Sequence, residues 1–383
     1  MRLRAKLLSL LLSGVILAQK QEGPSRLVVY DALIDRFFHI QSWTASNTST
    51  TRPDTVLYLY AEEELPSLSR FPRLQGLYLS SLSDLNAAEL VRQIKRLCPQ
   101  LRILALEDCD LSDISPLSEL SQLQGLLLDG NPIKDFTPLA KLRGLQFLSL
   151  ARTPLETIDW IVALPTLQGL DLSETKVIHL QPLKSLPNLR MIALYRCHSI
   201  ADLSPLFSLP QIEFLNVSFM NPQTVQPLLL EIHRFSGLRV LQAQGVVTNA
   251  TLLKGIEHLS HLEELTLGQN PALNTLAFVR PLQRLLYLDV HHCMVKDLSP
   301  LSGLPSLVKL SIGKNQVSHL APLVSCPRLR ELYCYENPIV DWEKLLEMPA
   351  LTYVMISRRD IPAEKLSTLN AQLRKKGVQL DAP

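Results

Sequence analysis

His291, His292 and Cys293 follow Asp289 closely in the stretch LLYLDVHHCMVKDL. Side chains of these types suit two kinds of chemistry. Imidazole, thiolate and carboxylate make a zinc site when three or four of them converge on one ion. A histidine next to a cysteine can also be the base of a thiolate nucleophile. Both require the side chains to point the same way, so the element that carries them decides the matter.

The chain continues LSPLSGLPSLVKLSIGKNQVSHLAPLVSCPRLRELYCYENPIVDW, which states one pattern twice. The phrase LxxLxLxx(N/C/T) starts at Leu101, Leu123, Leu145, Leu167, Leu189, Ile212, Leu238, Leu262, Leu285, Leu307 and Leu329. Less regular copies begin near Asp54, at Leu74 and at Leu351, which makes about fourteen, and the commonest step is 22 residues. Within LxxLxL the later leucines alternate with variable residues, so a short strand turns one face inward. The second half, as in DLSPLSGLPSL, begins with a turn residue such as Asp297. It continues with Ser-Pro, read as a cap and a proline suited to the first helical position. Pro116, Pro138, Pro182, Pro205, Pro227, Pro281, Pro300 and Pro322 are assigned that place.

One copy cannot bury its leucines alone, whereas stacked copies share a continuous core. The expected fold class is therefore an α/β leucine-rich repeat solenoid. Its curved parallel β-sheet lines the concave side, and short 3₁₀ or helical turns form the convex side. Before the array, Arg2, Arg4 and Lys6 precede the apolar run Leu7 to Ala18, which reads as a signal peptide over 1–18. Residues 19–53 read as an N-terminal capping helix and linker, 54–356 as the array, and 357–383 as a C-terminal cap with a closing helix and short strand.

The register answers the opening question in outline. Cys293 falls at the ladder position held elsewhere by Asn131, Asn270, Asn315 and Asn337, and Cys109 and Cys197 share that slot. It should point into the core, with His291 and His292 outside. The expectation is no metal site, no thiol nucleophile, no disulfide and no cofactor.

Candidate binding residues lie instead at the third, fifth, seventh and eighth positions of each copy. Eight of the nine tyrosines fall there: Tyr58, Tyr60, Tyr78, Tyr195, Tyr287, Tyr333, Tyr335 and Tyr353. The densest group is C-terminal, with Tyr287, Asp289, His291 and His292, then Lys309 and Lys314, then Glu331, Tyr333, Tyr335 and Glu336, then Tyr353 and Arg358. A middle group has Tyr195, Arg196, Phe214, Asn216 and Phe219. Aromatic residues mixed with a few charges match the composition of protein-binding hot spots.

The rest narrows the function class. A net charge of +2 over 383 residues, with no basic run, argues against nucleic acid. No second apolar span follows Ala18, so no integral membrane span is expected. No glycine-rich phosphate loop, HExxH or GxSxG occurs. About thirty residues follow the last repeat, short for a catalytic domain, so the expected function is a non-catalytic, exported protein-binding module, secreted or periplasmic.

The segments DISPLSELSQLQGLLLDGNPIKDFTPL and KDLSPLSGLPSLVKLSIGKN resemble the short repeats of bacterial internalin-type leucine-rich repeat proteins. They are also similar to those of the nuclear phosphatase-regulator family of eukaryotes. The resemblance covers roughly residues 101 to 356 and is specific for the repeat subclass. The internalin likeness implies a secreted protein that grips another protein on its concave face. The alternatives are a leucine-rich repeat effector and an intracellular phosphatase-regulator-like scaffold.

Overall fold

Leucine spacing sets the strands. Leu101, Leu104 and Leu106 are fully buried, as are Leu123, Leu126 and Leu128, and every later copy buries the same three positions. The computed structural model of the chain describes residues 44–45, 58–62, 65 and 67–383. The signal-peptide reading, and all of the 19–53 reading except Thr44 and Ala45, lie outside the described residues.

Two units divide at Ile212 and Glu213. The first carries β1 (Thr44–Ala45), β2 (Tyr58–Glu62), β3 (Gly76–Ser80), β4 (Ile103–Glu107), β5 (Gly125–Leu127), β6 (Phe147–Ser149), β7 (Gly169–Asp171) and β8 (Met191–Ala193). The second carries β9 (Phe214–Asn216), β10 (Val240–Gln242), β11 (Glu264–Thr266), β12 (Tyr287–Asp289), β13 (Lys309–Ser311), β14 (Glu331–Tyr333), β15 (Tyr353–Met355) and β16 (Gln379–Asp381). Within each unit every strand pairs in parallel with the next.

Most returns on the other side of the core are 3₁₀ turns such as Ser115–Glu119 and Gln181–Ser185. The two longest steps, from Leu74 and from Ile212, hold α-helices instead. α1 (Ala87–Leu97) buries Ala87, Leu90, Val91 and Ile94 on one stripe, and Asn86 caps it. α2 (Pro222–Leu230) and α3 (Ala363–Lys375) lie in the second unit.

Two sequence readings need correction here. Pro227 is inside α2, where Pro222 takes the first position, and Pro281 lies beyond the turn Ala277–Val279. The serine of Ser-Pro is also not the cap. The preceding aspartate is: Asp113, Asp202 and Asp297 accept from the backbone N–H of Ser115, Ser204 and Ser299, each at 2.8 Å. A carboxylate two residues upstream reaches that N–H, whereas a serine already inside the turn cannot.

The copies from Leu74 to Leu329 leave the strand in the same way. The eighth position of the copy is left-handed, as at Asp108 (φ 49°), Arg152 (57°), Gln269 (58°) and His292 (53°). That conformation turns the ninth side chain inward. Asn131 then donates from Nδ2 to Leu106 O (2.7 Å) and Leu128 O (2.8 Å), while its Oδ1 accepts from the N–H groups of Cys109 (3.1 Å) and Leu111 (3.0 Å). One amide thus satisfies backbone groups of two copies that would otherwise be buried unpaired. Asn131→Ala should destabilise the chain by about 3 kcal/mol, the scale of several buried groups left open. Urea unfolding measures this, and a change below about 1 kcal/mol would contradict the ladder's role.

Candidate functional site

The copy at Leu285 carries His291, His292 and Cys293 on its outgoing turn. Cys293 is buried, and its thiol points at Leu267 O, 3.4 Å away. Asn315 Nδ2 makes the equivalent bond to Val290 O at 2.8 Å, so the cysteine substitutes for a ladder asparagine. His292 is the left-handed residue that turns the strand and is exposed. His291 lies on the outer sheet face over Gly268, where any Cβ would collide with its ring. Its Nδ1 is 2.8 Å from Asp289 Oδ1, and its backbone N–H donates to the same oxygen at 2.9 Å. The three side chains therefore leave in three directions. Among the described residues no group of three or more such side chains could hold a metal ion. Burial pushes the Cys293 thiol up to about 12, Cys197 to about 12 and Cys109 to about 11.

In-register pairing lines the remaining C-terminal candidates up in rows. Glu264, Tyr287, Lys309, Glu331 and Tyr353 are neighbours across β11 to β15. Thr266, Asp289, Ser311, Tyr333 and Met355 form the next row. Strands about 4.8 Å apart press such side chains against each other. Tyr287 is 1 % exposed and Lys309 2 % as a result. The Lys309 ammonium sits 5.1 Å from the Tyr287 ring centre and 5.0 Å from that of Tyr333, in cation–π range. Burial pulls its pKa below the ordinary lysine value, against the raising effect of Glu331, whose Oε2 is 3.6 Å away.

Towards β15 the face opens, and Glu331, Tyr333, Tyr335 and Tyr353 are half-buried. The Tyr333 and Tyr353 rings meet at 5.4 Å and 47°. Tyr353 donates to Asp381 Oδ2 at 2.9 Å, and Tyr335 lies over Gly313. Arg358 is exposed, but its Nε donates to Ala382 O at 2.6 Å, which ties it to the chain's last strand region.

Asp289 is buried yet titrates low. Burial works to raise its carboxyl, but the His291 charge and hydrogen bonds outweigh that and hold it below the usual range. Its stabilisation is thus present above the unfolded value and is lost as pH falls.

The middle candidates divide between the units. Tyr195 and Arg196 are in the first, where Tyr195 is buried and the Arg196 guanidinium is 5.1 Å from its ring centre. Phe214 and Asn216 are buried in the second, and Asn216 Oδ1 accepts from Ser218 N–H at 2.9 Å.

The chain matches the family described as leucine-rich repeat region over residues 86–372, well over half its length. This is a leucine-rich repeat protein. No curated protein matches its sequence. Among solved structures it is similar to an internalin (InlF) of Listeria monocytogenes, at 22 % identity over 79 % of this chain and 91 % of that one, with a TM-score of 0.61. It is also similar to a leucine-rich repeat protein of Leptospira interrogans, at 18 % identity over 86 % and 96 % of the two chains, TM-score 0.57. A third likeness is the ectodomain of the Arabidopsis thaliana receptor kinase GASSHO1/SCHENGEN3 in complex with Casparian strip integrity factor 2. That match has 17 % identity, 84 % and 43 % coverage and a TM-score of 0.52. These likenesses place the chain in the leucine-rich repeat solenoid fold, which is typical of protein-binding modules. Among the described residues no helix is long and apolar enough to cross a membrane.

The leucine-rich repeat register also gathers acids at the fifth and seventh positions of the first unit. Glu107, Asp129 and Asp171 are nearly fully buried on the outer strand positions of the first unit. Asp129 accepts from Ser149 Oγ and from Ala151 N–H. Burial raises all three carboxyls; Asp129 adds to the rise at Glu107, and Asp171 to that at Asp129. Their stabilising contribution is present in acid and is lost as pH rises past the ordinary carboxylate range. Glu107 went unread as a sheet-face residue, as did Gln242, Glu264 and Thr266 in the second unit, and the signal was a polar residue at a third, fifth or seventh position.

All six cysteines are free and buried, three of them at the ladder slot, so each should be inert as folded. At pH 8 a disulfide-exchange thiol reagent should label none of them within minutes, and all six once urea unfolds the chain. Rapid labelling of Cys293 in the folded protein would contradict its inward placement.

Proposed function

We propose that this leucine-rich repeat protein is an exported, non-catalytic module that holds a protein partner on the outer sheet face of β12 to β15. The observation that carries the reading is the half-open aromatic face itself. Tyr333 and Tyr353 are tilted ring against ring, Tyr335 is seated over Gly313, and Glu331 Oε2 accepts from the Tyr333 hydroxyl at 3.2 Å, while His291 lies over Gly268. Tyrosines already held by their neighbours lose little side-chain freedom on docking, and each offers a ring and a hydroxyl. Exposed His292 and Arg358 stand at the edges as rim contacts.

Tyr287 supports the face from beneath, and Asp289 fixes the His291 ring. In the first unit, Tyr195 with Arg196 form a lesser contact, and Phe214 acts as packing in the second. The non-catalytic reading is supported by the inward Cys293 thiol and by the engagement of Asp289 with His291. Export is supported by Arg2, Arg4 and Lys6 ahead of the apolar run to Ala18, with a secreted or periplasmic destination. The complex of the Arabidopsis ectodomain supports use of this fold for partner recognition.

Cross-linked capture from native extract tests the reading, with Tyr333→Ser/Tyr335→Ser/Tyr353→Ser compared against the unaltered chain. Leu230→Ser, an exposed residue on the opposite side of the core, serves as control. One partner should be captured by the unaltered chain and the control, and reduced roughly tenfold or more by the tyrosine variant. Equal capture by all three would contradict the assignment.

A further inference from the structure

In the second unit, α3 and β16 part around a cleft of about 380 Å³. One wall is a stripe of α3. Ala363, Leu366, Ser367 and Asn370 are spaced three and four residues apart, which sets them on one helix face. The other wall is Leu380 in β16 and Ala382 just beyond it. Leu380 pairs with Val354, which is fully buried at an inward strand position, yet Leu380 itself is only half-buried. Among the described strands β16 has a neighbour on one side only, so no further row of leucines covers it. The cleft is an open end of the repeat core.

Polar groups at this end are uncommitted. Arg358 is exposed, and its Nε is used on Ala382 O, which leaves both Nη groups without a partner in the chain. Ser367 is exposed on the α3 stripe, and its hydroxyl makes no hydrogen bond. Asn370 Oδ1 lies shielded in the wall and takes no part. No acid lines the cleft, so its one charge is the guanidinium.

Two free Nη groups match the two oxygens of a carboxylate, and a nearby hydroxyl can donate to one of them. A phosphate would bring a second charge that no other cation lining the cleft meets. Half-buried Leu366 and Leu380 suit a hydrocarbon body. At the ~30 Å³ that each water takes in the liquid, the space holds about a dozen non-hydrogen atoms. We propose that the cleft binds a small monocarboxylate with an apolar body, of the medium-chain fatty acid class. Its head lies on Arg358 and Ser367, and its body lies between Leu366 and Leu380. Arg358 apart, none of these residues belongs to the tyrosine face, and the inference does not rest on that reading.

The probe is octanoate, titrated calorimetrically into the full chain at about pH 8, where it is ionised. Octanol and acetate supply the body and the head separately. Octanoate should bind with a dissociation constant of about 1 mM or tighter, and neither part should match it. Arg358→Gln keeps a donor for Ala382 O, removes the charge and should weaken octanoate roughly tenfold or more. Ala363→Trp fills the cleft from an exposed position and should abolish binding; Ser367→Phe serves if that variant fails to fold. Tyr353→Ser should leave binding unchanged. No binding at about 10 mM octanoate would overturn the inference. Octanol bound as tightly as octanoate would overturn the carboxylate head, and octanoate indifferent to Ala363→Trp would overturn the place. Loss of binding in Tyr353→Ser would move the ligand to the tyrosine face. Self-association of the unaltered chain that Ala363→Trp abolishes would also overturn it, since a second copy would then cover the cleft.

Discussion

The structure depends on satisfying the backbone groups where each strand leaves the sheet. Every copy must turn there, and the turn buries N–H and C=O groups that water cannot reach. A left-handed eighth residue and an inward ninth solve this together. Asn131, Asn270, Asn315 and Asn337 meet both donors and acceptors, and each spans two copies. Thr153 and Cys293 do part of the task with one donor, to Leu150 O and Leu267 O. Left-handed backbone at a non-glycine residue costs about 1 kcal/mol, and the ladder bonds offset it. The stack is held by many small local agreements rather than by one large core feature.

Because the ladder and the leucines take the inward positions, the third, fifth and seventh positions are released from the core. What they hold is a face rich in polar side chains. In the first unit the acids Glu107, Asp129 and Asp171 are kept near one another under cover, with their carboxyls pushed towards the neutral form. In the second unit the charges are better matched, with Asp289 on His291 and Lys309 between two tyrosine rings beside Glu331. A fold selected only for stability has no use for a nearly buried lysine, since an apolar group of the same shape would serve at least as well.

The repeat made the fold largely legible. Leucine spacing marks the strand positions, and the ladder slot alone points Cys293 inside. The turns were less legible, because Ser-Pro suggests a serine cap while the aspartate two residues earlier does the capping. Pro227 and Pro281 departed from the proline rule where the copies lengthen and the register slips. The candidate face was legible as a set of positions but not as exposures. Tyr195, Phe214 and Tyr287 read as contact residues, yet neighbours on adjacent strands cover them almost completely. Spacing along the chain shows which face a side chain takes. How deeply its neighbours bury it depends on their size across the sheet.

The most direct measurement places a photo-cross-linking amino acid at Tyr353, on the outer face, and separately at Glu343, in the turn Trp342–Leu346 on the other side of the core. Each labelled chain is then irradiated with native extract. The account predicts a discrete cross-linked partner from the Tyr353 position and none from Glu343. The reverse pattern would contradict it and move recognition to the turn side.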